Sequence, residues 1–93
     1  MQNKEKRFAL EDTLNQIYRN DYCFDSEHTQ FSFFNADFIL LNDAYIYLPE
    51  NICTKIILTK EYMQIILSKA RLREVKFEIK YTNIKEFSIK IEE

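Results

Sequence analysis

The chain of 93 residues has no glycine and no tryptophan, one proline, one histidine and two cysteines. Without glycine, no position reaches positive φ free of steric cost. The phosphate sites that depend on glycine are therefore excluded: P-loop, dinucleotide fingerprint and kinase loop. No run of about eighteen apolar residues is present, so no segment reads as a membrane-spanning helix. The opening MQNKEKRFAL is charged and is not followed by an apolar core, so no secretory signal is expected and the expected location is cytoplasmic. In a reducing compartment Cys23 and Cys53 read as small buried hydrophobes rather than as a disulfide or metal pair. His28 stands in CFDSEH with Cys23, Asp25 and Glu27, but the chain has no CxxC, HxH or HExxH spacing. Zinc requires such spacing, so this stretch reads as a polar loop. No metal and no cofactor are expected. Ser26 lacks an elbow motif, and Glu11-Asp12 falls on an exposed helix face, so no catalytic residues are assigned.

What is present is a core-forming composition: 46% hydrophobic and 15% aromatic residues, with eight Phe and six Tyr. That is well clear of disorder and suits one domain over 1–93. Twelve Ile, nine Lys and seven Asn stand beside only four Ala, a bias that fits an AT-rich genome, such as a low-GC bacterium or its phage. The net charge of −2 divides unevenly. Residues 1–54 carry four basic against nine acidic side chains, and residues 55–93 nine against six. The acidic balance argues against direct DNA binding, which needs a dense basic surface.

Along the chain, Leu10, Leu14, Ile17 and Tyr18 make one apolar stripe at helical spacing, predicting a helix over about 4–20 with Asn20-Asp21 as its stop. A polar connection over 21–30 follows. Residues 31–93 read as antiparallel sheet. Asn35-Ala36-Asp37, Asn42-Asp43 and Pro49-Glu50-Asn51 break the first part into three short strands. In AYIYLP, Tyr45 and Tyr47 face one side and Ile46 and Leu48 the other. In VKFEIKY, Val75, Phe77, Ile79 and Tyr81 alternate with Lys76, Glu78 and Lys80, and Phe87, Ile89 and Ile91 alternate with Ser88, Lys90 and Glu92. Both are half-buried antiparallel strands. Between them, KEYMQIILSKARLRE is ambiguous. Its propensities favour a helix at about 60–72 capped by Thr59, whereas Met63, Ile65 and Leu67 alternate as a strand would.

From Asp37 onward, the order AYIYLP, KIILTKEYMQIIL, SKARLRE and VKFEIKYTNIKEFSI resembles the bacterial PH-like and GRAM-type domains. The likeness covers about 55 residues. It implies that Leu58-Thr59 ends a strand, that Lys60-Glu61 turns and that Tyr62–Leu67 is the partner strand. Thr54 stands where those families place a glycine, and their later strands and C-terminal capping helix have no counterpart by Glu93. The expected fold is thus α+β: an N-terminal helix packed on a five- to six-stranded antiparallel, PH-like half-barrel sheet, with a helix at about 60–72 as the alternative.

The expected function is non-catalytic: an interaction module, not an enzyme, binding a protein partner or forming a homodimer. Its candidate surface is Tyr45, Tyr47 and Tyr62, since tyrosine is enriched at interfaces, with the basic residues Lys69, Arg71, Arg73 and Lys76. The PH-like resemblance implies that such a loop meets acidic lipids or acidic protein segments. A second reading is a phage-encoded inhibitor of a bacterial defence protein, mimicking nucleic acid through Glu11, Asp12, Asp21, Asp25 and Glu27. Lipid binding through the basic loop is disfavoured by the acidic N-terminal half, and a small hydrolase using Cys23 or His28 ranks last. Phe87–Glu92 is a candidate dimer edge, flanked by charges of the kind that blunt edges.

Overall fold

The computed structural model describes residues 2–19, 29–71 and 73–91. The elements are α1 (Gln2–Tyr18), β1 (Thr29–Phe34), β2 (Ala36–Leu41), β3 (Ala44–Tyr47), β4 (Cys53–Leu58), β5 (Tyr62–Ser68), β6 (Val75–Lys80), a short 3₁₀ turn at Tyr81–Asn83, and β7 (Phe87–Ile91). The fold is α+β. Among the described residues, seven antiparallel strands form two sheets, ordered β1-β4-β5-β6 and β3-β2-β7, that do not close into a barrel.

The expected single sheet of five or six strands is corrected by one bend. β1 and β2 are consecutive, separated only by Asn35 at φ 61°. Asn35 donates its N–H to the Ile52 carbonyl at 3.1 Å, and its Oδ1 accepts the Asn51 N–H at 2.7 Å. Asn51 is itself left-handed, at φ 63°. Beyond the bend, Leu48 donates to the Asp37 carbonyl at 2.9 Å. One long hairpin, β1–β2 against β3–β4, is thus creased at the same level on both arms, and its halves feed different sheets. Asp37 is the bulged residue where β2 changes register against β7, and bulges of this kind sharpen such a bend. With no glycine available, three of the four left-handed residues among the described ones are asparagines, Asn35, Asn42 and Asn51; Arg71 is the fourth. Asparagine tolerates this region better than other side chains.

Asn42 has a second task. At φ 56° it turns β2 into β3, with Leu41 opposite Ala44. Its Oδ1 accepts the N–H groups of Lys85 (2.7 Å) and Glu86 (3.2 Å), and its Nδ2 donates to the Asn83 carbonyl at 3.1 Å. Its own N–H donates to the Glu86 carbonyl at 2.8 Å. The turn is therefore clamped to the segment leading into β7.

The ambiguous segment is strand. Tyr62–Ser68 pairs with β4 on one side and β6 on the other, and Met63 and Ile65 are buried. Two flanking ladders override helix propensity, which spans only tenths of a kcal/mol per residue for ordinary residues. Thr59 does not cap a helix but closes the β4–β5 hairpin. Its N–H and Oγ1 donate to the Tyr62 carbonyl at 3.0 and 2.9 Å, and its Oγ1 accepts the Tyr62 N–H at 3.3 Å. Tyr81 braces the same turn through its hydroxyl, which donates to the Thr59 carbonyl at 2.7 Å.

The two sheets enclose one core of Phe31, Phe33, Ala36, Ile39, Ile56, Leu58, Met63, Ile65, Ile84, Ile89 and Ile91. The predicted helix stripe docks here: Leu10 and Leu14 are buried, Ile17 is half-buried, and α1 packs on β1 and β7. Tyr18, the last stripe residue, stays largely exposed. The expected stop Asn20-Asp21 lies outside the described residues. Two buried leucines and a half-buried isoleucine hold this helix; a side chain of this kind contributes roughly 1.5–3 kcal/mol when fully covered.

Candidate functional site

The three-stranded sheet turns Ile39, Ile46, Ile89 and Ile91 inward. Its pairing register therefore places Phe38, Leu40, Tyr45, Tyr47, Ser88 and Lys90 together on the outer face. Phe38 is opposite Tyr47 and Leu40 opposite Tyr45. Three rings make a cluster. Phe38 meets Tyr45 edge-on at 5.4 Å between centroids and Tyr47 at 5.6 Å, while the two tyrosines stack at 6.3 Å with 22° between their planes. Such spacings are within the range where aromatic pairs attract. The tyrosines are 57% and 74% exposed. The rings fix one another's orientation and leave their outer faces bare, so the ledge is preorganised for contact.

The other residues proposed with these tyrosines lie elsewhere. Tyr62 and Lys76 are on the outer face of the four-stranded sheet, with Tyr62 opposite Lys80 and Lys76 opposite Ile66. Lys69, Arg71 and Arg73 are exposed along the β5–β6 connection, where Arg71 takes φ 67°. The single surface expected from sequence thus divides into an aromatic ledge on one sheet and a basic end on the other. Of the acidic set, Asp12 is exposed on α1, and Glu11 pairs with Arg7 at 3.8 Å. Asp21, Asp25 and Glu27 lie outside the described residues, as do Cys23 and His28.

Cys53 is half-buried at one end of the four-stranded sheet, in a shallow depression lined by Phe34, Asn51, Ser68, Lys69 and Ala70. Among the described residues, no three His, Cys, Asp or Glu side chains gather to hold a metal. None of the described helices is long and apolar enough to cross a membrane. Partial burial pushes the Tyr18 hydroxyl up; it lies on α1, remote in sequence from the ledge.

Sequence reasoning missed Phe38 and Leu40. The signal was available: a two-residue turn at Asn42-Asp43 fixes the hairpin register, and that register puts Phe38 across from Tyr47. No family model, no curated protein and no solved structure matches the chain.

Proposed function

We propose that this chain is a non-catalytic protein-interaction module and that the Phe38–Tyr45–Tyr47 ledge is its contact surface. The observation that carries the reading is the pair of stacked tyrosines left exposed on a rigid sheet face. Tyrosine anchors offer large contact area with few torsions to freeze, which is why they recur as interface hot spots. Lys90 is the one cation among the described residues of that face. That is too few for a nucleic-acid backbone, which needs several phosphate contacts. The partner is therefore a protein presenting an apolar groove or an aliphatic side-chain pair.

A PH-like architecture is part of the same proposal. Supporting it are the strand–turn–strand at Leu58–Tyr62, the bent antiparallel sheets around one core, and a helix that covers β1 and β7, here at the N-terminal end of the chain. A cytoplasmic setting in a low-GC bacterium or its phage belongs to the proposal too, on composition. The acidic-mimic reading has less support, because Glu11 is already engaged by Arg7. In the basic end, Glu74 and Glu78 interleave with the cations, which dilutes attraction to an anionic bilayer.

The test is capture from a low-GC bacterial lysate by the tagged chain and by Y45S/Y47S, across a salt series. A protein held by the unsubstituted chain at high salt and lost with the double variant, whose circular dichroism is unchanged, supports the ledge. Equal capture by both, or capture that vanishes with salt alone, overturns it.

A further inference from the structure

Among the described residues, β6 pairs with β5 on one side and with no strand on the other. Its inward face is also incompletely covered: Val75 is 50% exposed, and Phe77 and Ile79 are only half-buried. The backbone direction at this edge follows from two hydrogen bonds in the sheet. Thr59 N–H to Tyr62 carbonyl (3.0 Å) aims the even-numbered residues of β5 at β4. Tyr81 N–H to Glu61 carbonyl (3.4 Å) extends the β5–β6 register and aims the odd-numbered residues of β6 at β5. The N–H and C=O groups of Lys76, Glu78 and Lys80 therefore face the open edge, because these groups alternate sides along an antiparallel strand.

We propose that β6 pairs antiparallel with β6 of a second copy, about a twofold axis at Phe77, joining two four-stranded sheets into one of eight. The sequence around that axis, Glu74-Val75-Lys76-Phe77-Glu78-Ile79-Lys80, is complementary to its own reverse. Lys76 falls opposite the second copy's Glu78, Glu78 opposite its Lys76, and Glu74 and Lys80 opposite each other in the same way. On the inward face Val75 meets Ile79 and Phe77 meets itself, which covers the side chains that β5 leaves half-exposed. The even-numbered residues become the hydrogen-bonded pairs, which matches the groups that face the edge.

Neighbouring registers fail. An axis at Glu78 sets Glu78 against Glu78 and Lys76 against Lys80. An axis at Lys76 sets Lys76 against Lys76 and Glu74 against Glu78. Like charges directly opposite destabilise a ladder, so charge favours the axis at Phe77 over both of its neighbours. The other edges are poorer. β1 has no charged side chain to select a register and is packed by α1, β3 is four residues long, and an axis at Ile89 of β7 sets Lys90 against Ser88 without charge complementarity. The dimer edge expected at Phe87–Glu92 therefore moves to β6. This inference does not depend on what the tyrosine ledge binds.

Sedimentation velocity at low salt over rising concentration tests it, with K76E, E78K and an equimolar mixture of the two. The unsubstituted chain is expected to move from 11.3 kDa toward twice that mass. Each single variant sets two like-charge pairs across the axis and weakens association by about tenfold or more. Mixing them restores opposite charges across the axis and therefore a heterodimer. Both positions are exposed, and unchanged circular dichroism confirms that the variants fold. A monomer at every concentration, a dimer indifferent to K76E, or a mixture no tighter than its components overturns the proposal. A dimer broken by Y45S/Y47S but not by K76E would place self-association on the ledge instead.

Discussion

On the outer face of the four-stranded sheet, Ile66 is 6% exposed; on the outer face of the three-stranded sheet, Tyr47 is 74% exposed. Both are large apolar side chains pointing away from the shared core. The difference lies in their neighbours. Ile66 stands between Lys55 and Lys76, directly opposite it on either side, and lysine stems of four methylenes lie over apolar surface while the ammonium stays in water. On the next row, Gln64 Nε2 donates to Glu78 Oε2 at 3.2 Å, adding a polar lid. Tyr47 has Phe38 beside it, and Phe38 has Lys90 on its far side. One sheet screens its outer apolar side chain and the other displays its own, and the proposed contact surface rests on that contrast.

The comparison is most exposed to I66A. Although it faces outward, this truncation is expected to cost about 2–4 kcal/mol, as for a core site, measured by urea denaturation. Y47A at an equivalent outward position is expected to cost under about 1 kcal/mol while removing partner capture; equal costs would erase the distinction between the faces. On the inner side, Thr54 is fully buried and its Oγ1 has no hydrogen-bond partner among the described residues. T54V keeps the shape and removes an unsatisfied hydroxyl, so the denaturation midpoint should rise by the equivalent of about 1 kcal/mol. Smallest is K55S, which uncovers Ile66 from one side. It should cost roughly 0.5 kcal/mol and increase binding of a hydrophobic dye to the four-stranded sheet.

Period-two patterning made β6 and β7 legible, because each alternates apolar with polar side chains, and the leucine stripe made α1 legible. β5 was not separable from helix. Met63, Ile66, Leu67 and Ala70 satisfy helical spacing as well as Met63, Ile65 and Leu67 satisfy a strand, and only β4 and β6 on either side decide between them. The crease at Asn35 was marked as a break but not as a change of sheet, since that depends on the Asn51 N–H arriving from sixteen residues away. For the site, Tyr45 and Tyr47 were legible from alternation within one strand. Grouping them with Tyr62, Lys69, Arg71, Arg73 and Lys76 was not sound, because proximity across two sheets is set by the crease.

The Asn42 clamp bears on time as well as on shape. Its side chain joins positions 41 to 44 residues apart in the chain, whereas β4, β5 and β6 meet one another across short connections. Contacts between distant positions form after local ones, because a long loop must be closed first. Stopped-flow measurements on N42A should therefore show faster unfolding with little change in the refolding rate, the pattern of an interaction absent from the transition state. The asparagine that turns β2 into β3 would then govern how long the folded chain lasts, and leave almost untouched how quickly it forms.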